Sequence, residues 1–390
     1  MQTEVRNPND LLTHKRFDVV IKYMYASNLS SYFYKDAYKR HLQVWNNFYE
    51  GNPRKKGFEE FDTAFKSIIN NNVTDPVILN DEEHIINGAH RLAAALYHQR
   101  PINVRNANSD ENHPILADYE FFIEKGLPQH ILKRAALEYA KLKSNSHVIC
   151  LFPISHTRIT EVKKIINEYS NVFYSSSAEF NSTGQLGLMK EIYFVEGWAN
   201  EEGIKRKSDQ CFGRESKVTF MLVDAKNLET VKEMKAKIRK LFNVGNHSVH
   251  ISDYHQDAIR ISKTVFNDNS IHFLNNRKNI SFPNHKKLIA SYTPDDNTII
   301  TGSSVLSLYG LRDCKDLDLI YYNNPPADSH NQYLEKLYNK TLGDIINNPL
   351  CHLYYQGCKY VHLDIIKNMK SLRNEPKDIK DVELIKSIRG

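Results

Sequence analysis

Apolar positions along the chain change period several times, and each change predicts a new element. Phe17, Val20, Ile21, Tyr23 and Met24, then Tyr38, Leu42, Trp45 and Phe48, recur at helical spacing. "PVILNDEEHIINGAHRLAAALYH" then reads as strand, polar turn, short strand and an Ala-rich helix opened by glycine. Residues 117–143 read as helices. From "HVICLF" (147–152) the pattern alternates: helix "RITEVKKIINEY", strand "NVFYSS", helix "GLMKEIYF", strand "KVTFMLVDA", then helices "ETVKEMKAKIRKLF" and "HQDAIRISKTVF". The last stretch runs helical "KLIASYT", strand "TIITG", helix "SVLSLYG", strand "DLDLIYY" and a helical tail. Mixed strands and helices of this size predict an α/β (α+β) protein of packed layers. Polar, Asn- and Pro-containing seams are expected at 105–114 and 275–287.

Length and composition add bounds. At 390 residues the chain exceeds one ordinary core, since domains run to about 100–200 residues. No repeat or low-complexity stretch interrupts it. No apolar run reaches the roughly 18–20 residues of a membrane span. "MQTEVRNPND" lacks the basic flank and apolar stretch of a signal peptide, so a cytoplasmic protein with no membrane partner is expected. The five cysteines form no C-x-x-C pair, and their odd number argues against a disulfide framework. The net charge of +6 suits a phosphate-bearing ligand as well as nucleic acid.

The chemistry-bearing pattern nearest the C-terminus is "TGSSVLSLYGLRDCKDLDLIYY". Within one strand Asp316 and Asp318 would share a face, because side chains alternate. Two adjacent carboxylates repel unless a cation joins them, and Mg²⁺ takes one or two carboxylates plus substrate phosphates. Gly302-Ser303, where strand feeds helix, offers backbone N–H groups to a phosphate. Asp-x-Asp alone also fits the solvated face of an edge strand. With the Gly-Ser turn and twelve intervening residues, the segment resembles the nucleotidyltransferase superfamily. That resemblance implies Asp316 and Asp318 as metal ligands and Asp364, in "KYVHLDIIKNMKSLRNEPKDIKDVELI", as third carboxylate on a following strand. It also implies Lys370, Arg373 and Lys377 near a triphosphate.

Earlier in the chain, Asn87, Gly88, His90 and Arg91 gather backbone donors and two ionisable side chains at a helix start, which favours an anion. An arginine such as Arg91 can hold phosphate bidentately. The stretch resembles the ParB/sulfiredoxin superfamily, which implies nucleotide-phosphate binding. Ala89 replaces the sulfiredoxin cysteine, which removes sulfinic-acid reductase chemistry.

In "NHSVHISDYHQDAIRISKTVF", His250 is expected at a strand end with Ser252 and Asp253 opening a helix. Such a histidine can act as base or phosphoryl acceptor. The segment resembles nucleoside diphosphate kinases and their ferredoxin-like fold, although Ile251 stands where that family has glycine. The run 196–212, with Lys205 and Lys207, and the nearby Arg214 fit either a phosphate-binding loop or an exposed one. His255 and His272 have no zinc-ligand spacing.

The resemblances imply four spans: a ParB/sulfiredoxin-like domain (1–115), a helical connector (116–145), a ferredoxin-like domain (146–280) and a nucleotidyltransferase domain (281–390). The expected activity is Mg²⁺-dependent transfer of NMP from an NTP, ATP or CTP, to a small phosphorylated metabolite. Kinase-like phosphoryl transfer through Gly88–Arg91 or His250, modification of an RNA end, and nucleotide sensing without catalysis stay open as alternatives. Nucleic acid is the less favoured partner, because aromatic residues are not interleaved with Lys and Arg.

Overall fold

A computed structural model of the chain describes residues 3–48, 57–71, 75–112, 117–322 and 331–388, with the side chains of 46–48 and 331–334 left out. The Phe48 side chain, part of the 105–114 seam and the 115/116 boundary thus lie outside the described residues. The fold is mixed α/β, with three four-stranded sheets and eighteen α-helices among the described residues. None of those helices is long and apolar enough to cross a membrane. All five cysteines are buried free thiols.

The strands are β1 (Glu4–Arg6), β2 (Val77–Leu79), β3 (Ile85–Asn87), β4 (Ile102–Asn106), β5 (Ser146–Leu151), β6 (Ser170–Glu179), β7 (Lys217–Ala225), β8 (Val249–Ile251), β9 (Thr298–Thr301), β10 (Asp318–Tyr321), β11 (His352–Tyr355) and β12 (Cys358–Val361). The sheets run β1-β4-β2-β3, β6-β7-β5-β8 and β10-β9-β12-β11. The chain divides into two compact units: residues 1–147 with 170–175 and 221–226, and residues 148–169 with 176–220 and 227–390.

In the first unit, the helix Phe17–Ser27 buries Phe17, Val19, Val20, Ile21, Met24 and Tyr25. Apolar residues cover most of its circumference, so it can be surrounded, and it packs against the helices Tyr32–Phe48, Ala89–His98 and Gln129–Leu142. The exceptions are charged: Asp18 is buried and takes hydrogen bonds from Arg16 Nε (2.8 Å), Arg16 Nη2 (2.9 Å) and Lys22. Burial pushes the Asp18 carboxyl up, but the Arg16 and Lys22 charges overcome it and hold the group well below the usual carboxylate range.

In the second unit, the helices Ile159–Tyr169 and Leu228–Phe242 pack on each other, and β5 pairs antiparallel with β8 through Ile149↔Ile251, Cys150↔His250 and Leu151↔Val249. Ser252 continues that ladder, its N–H donating to Val148 O (3.0 Å) and its Oγ accepting from Val148 N (2.9 Å). The expected helix after His250 therefore starts only at His255. The run 196–212 is mostly a helix, Glu201–Phe212, started by an Asn200 cap on the Gly203 N–H, and not a loop.

Hydrogen bonds also join residues on either side of the expected 280/281 boundary. Asn269 Nδ2 donates to the carbonyls of Pro349 (3.0 Å) and His352 (3.1 Å). Tyr354 N–H donates to Ser270 Oγ (2.7 Å), and Gln356 N–H to the buried Glu191 Oε2 (2.7 Å). Burial raises the Glu191 carboxyl, with Arg260 and the Gln356 amide acting in the opposite direction.

Candidate nucleotide site

The site most specified by backbone geometry is the turn from β9 into the short helix Ser303–Leu308. Gly302 sits at φ 65°, ψ −140°, a conformation open essentially to glycine alone. Asp318, first residue of β10, pairs with Thr301. This register lays the Asp318 carboxylate directly over Gly302: a Cβ at position 302 would overlap it, standing 2.9 Å from its Cγ. Glycine is thus required twice, for its dihedral and for the approach of the carboxylate. Gly302→Ala is expected to cost about 1–3 kcal/mol from backbone strain alone, read as a lower urea midpoint at unchanged slope.

Asp316 precedes β10 and lies in a bend, so strand alternation does not govern it as expected. The bend is held from below: Ser304 Oγ donates to the Asp316 carbonyl (3.0 Å), and Ser304 is fully buried. Asp316 and Asp318 are both exposed. Thr301 bonds through its hydroxyl to Tyr338 OH beneath the turn. Burial raises the Tyr338 hydroxyl to about 12, opposed by the Thr301 hydrogen bond and reinforced by the Asp318 charge. Sequence reasoning missed Tyr338, since nothing in "EKLYNK" distinguishes it from a core tyrosine.

Asp364 is the second residue of the helix Leu363–Arg373, not a strand residue. It follows β12, whose Tyr360 pairs in parallel with Ile300 of β9. Among the described residues, no group of three or more His, Cys, Asp or Glu side chains is arranged as a metal site.

Two basic residues of the tail, Lys370 and Arg373, are placed differently from expectation. Lys370 is buried and bonds Asp378 Oδ1 (3.0 Å) and Asp381 Oδ2 (2.7 Å). Arg373 grips Asp378 through Nε (2.6 Å) and Nη2 (2.7 Å), and Arg312 grips Asp381 through Nε (2.5 Å) and Nη2 (2.8 Å). Lys370 and Arg373 are thus engaged by carboxylates. Lys377 is exposed beside Glu375 (3.0 Å).

The Gly88 turn forms as expected: Gly88, at φ 98°, opens the helix Ala89–His98. His90 departs from expectation, because it is packed among Tyr38, Phe61 and Phe65, with Nε2 2.9 Å from Tyr38 OH. Burial drives its pKa well below 6.5, so it is neutral at physiological pH and supplies no charge to an anion. Tyr38→Phe is expected to destabilise the protein by about 1–3 kcal/mol by orphaning that nitrogen, measured by urea denaturation. Arg91 is half-buried, bonds Asn87 Oδ1 (3.2 Å), and lines a cleft of about 170 Å³ with Asn71, His98 and Arg100.

His250 lies on β8, and its Nε2 is enclosed with no hydrogen-bond partner. Burial, then the charges of Lys235, Lys207 and Arg239, lower its pKa to about 3. Lys207 also lines its cleft, whereas the sequence singled out neither Lys235 nor Arg239 on the neighbouring helix. No protein-family model, curated protein or solved structure matches this chain.

Proposed function

We propose that the protein is a Mg²⁺-dependent nucleotidyltransferase, and the observation that carries the reading is the Asp318 carboxylate laid over the Gly302–Ser303 turn. The antiparallel β9–β10 pair joined by one short helix, with β12 parallel to β9, supports a nucleotidyltransferase fold. The order β8-β5-β7-β6, fourth, first, third and second strands of that segment, supports a ferredoxin-like middle part. The β1-β4-β2-β3 sheet and the Gly88 turn are compatible with a ParB/sulfiredoxin-like N-terminal part.

Asp316 and Asp318 would hold Mg²⁺, with Asp364 as third carboxylate. When bound, the metal neutralises charge on the phosphates and stabilises the oxygens of an in-line displacement. The amides after Gly302 and the Ser303 hydroxyl hold the triphosphate. An acceptor oxygen bonds to the α-phosphorus as the bond to pyrophosphate breaks, and a proton released by a hydroxyl acceptor passes to Asp364. A basic protein with further phosphate-compatible clefts suits a small phosphorylated acceptor.

A second reading, kinase-like chemistry at His250, draws on the cationic cleft around that residue. The two differ in product. Incubation with each of the four NTPs and Mg²⁺ is expected to release pyrophosphate, abolished by chelation. Release of NDP without pyrophosphate would move the chemistry to His250 or the Gly88 turn.

A further inference from the structure

The segment Arg312–Asp316, which brings the first carboxylate of the pair into the site, lies outside helix and strand. Backbone without a ladder must find its hydrogen bonds elsewhere. Here the carbonyl of each of its five residues accepts from a side chain. Ser307 Oγ donates to Arg312 O (2.8 Å), Arg312 Nη1 to Asp313 O (2.9 Å), and Ser304 Oγ to Asp316 O. Asn284 Nδ2 takes the two that remain, Cys314 O (2.5 Å) and Lys315 O (3.2 Å). An amide nitrogen carries two N–H donors, which suits one group spanning two carbonyls.

Ser304 and Ser307 belong to the helix that Gly302 opens, whereas Asn284 comes from a different element, the helix Pro283–Ala290. The contact is returned. Asp313 Oδ2 accepts from Asn284 N–H (3.2 Å), and its Oδ1 from His285 N–H (3.1 Å) and Cys314 N–H (2.9 Å). A carboxylate at that place satisfies first-turn amides with no partner inside the helix and meets the positive end of its dipole. None of the eight residues of this helix is buried, so apolar packing contributes little to its docking. Its hydrogen bonds with 313–315 fix helix and segment together.

Asp316 itself is exposed. On unconstrained backbone its carboxylate would sample many places, but with the carbonyls on its N-terminal side held, little beyond its own side-chain torsions remains. The ordering is complete on folding, before any reaction, as preorganisation requires. A displacement of about 1 Å in a reacting site can cost about a hundredfold in rate.

We infer that Asn284 is a positioning residue for Asp316, setting where that carboxylate stands by holding the Cys314 and Lys315 carbonyls. Asn284 touches no reacting group. The geometry stands on the hydrogen bonds alone, and its consequence for catalysis rests on the nucleotidyl-transfer reading.

Asn284→Ala removes both donors, and Asn284→Asp keeps the shape while setting a carboxylate oxygen against two carbonyls. Lys287→Ala, exposed on the same helix, is the control. Pyrophosphate release from each of the four NTPs with Mg²⁺ is read beside hydrogen–deuterium exchange of the same proteins. Both Asn284 variants are expected to lower kcat at least tenfold, with KM for the NTP within threefold of wild type. Exchange across 313–317 should quicken at least tenfold, while the buried strand β12 keeps its protection. Lys287→Ala should leave both readouts within twofold. The inference is overturned if the Asn284 variants turn over as wild type does, if exchange across 313–317 is unchanged, or if β12 loosens too, since the loss is then one of general stability. A wild type that releases no pyrophosphate removes the nucleotidyl-transfer reading and this inference with it, whereas normal release in the Asn284 variants removes the inference alone.

Discussion

Asp318→Asn is expected to lower pyrophosphate release by about a thousandfold while leaving the fold intact. A thousandfold loss corresponds to about 4 kcal/mol of transition-state stabilisation, within what a bound metal supplies to phosphoryl chemistry. Asparagine keeps the shape that lies over Gly302 and removes only the charge, so the thermal midpoint should shift little. Asp364→Asn tests the third carboxylate in the same assay. A loss comparable to that of Asp318→Asn supports Asp364 as a third carboxylate of the site; a loss of tenfold or less removes it, since a positioned proton acceptor alone contributes about 10²–10⁴-fold. Unchanged pyrophosphate release in Asp318→Asn would remove the nucleotidyltransferase reading.

The second large effect is on stability. Lys370, Asp378 and Asp381 are 3%, 0% and 2% exposed, and together with Arg312 and Arg373 they form one connected set of ion pairs. Removing one partner from a buried pair leaves a desolvated charge behind, which costs about 3–5 kcal/mol. Asp378→Asn and Lys370→Met should each lower the unfolding midpoint by that equivalent, measured by denaturant titration. The same set predicts acid sensitivity. Burial pushes the Asp378 carboxyl up, but hydrogen bonds and charge from Arg373 and Lys370 overcome it and hold it at about 2, below the ordinary 3.8. A depressed carboxyl contributes its stabilisation in full above the unfolded value, so this contribution should persist above about pH 4 and disappear as pH falls towards 2. Asp378→Asn should flatten that limb. Nucleotide affinity per folded molecule in Lys370→Met separates an ion-pair role from a triphosphate contact.

These residues show where sequence was informative. Gly302 and Asp318 were legible because their relation is local: a strand, a tight turn needing glycine, a short helix and a returning strand are written within twenty residues. The Gly88 turn was legible for the same reason. Asp316 reads as a strand residue because the apolar alternation of "DLDLIYY" starts before the pairing does, and only the buried Ser304 contact reveals the bend. The burial of His90 is not legible in "GAHRLAAAL", because its cage comes from Tyr38, Phe61 and Phe65. Lys370 and Arg373 looked available for phosphate because their partners lie beyond Asn374, a left-handed cap at φ 52° that turns the next helix back on them. A linear motif cannot tell a lysine aimed at an aspartate from one aimed at a nucleotide. Lys235 and Arg239 carry no signal in sequence, because only the fold brings their helix beside His250.

The hydrogen bonds that Asn269, Ser270 and Glu191 make with the β11–β12 hairpin bear on how this molecule can be handled and how it could have been inherited. A gene cut between codons 280 and 281 would strip Glu191 of its amide partner and leave the hairpin backbone facing water along an open edge. Neither fragment should be recovered as a stable soluble protein alone, whereas co-expression of both should rescue them as a complex. Shuffling of one half onto an unrelated neighbour would meet the same barrier, so these two parts are expected to travel through evolution as a single heritable block.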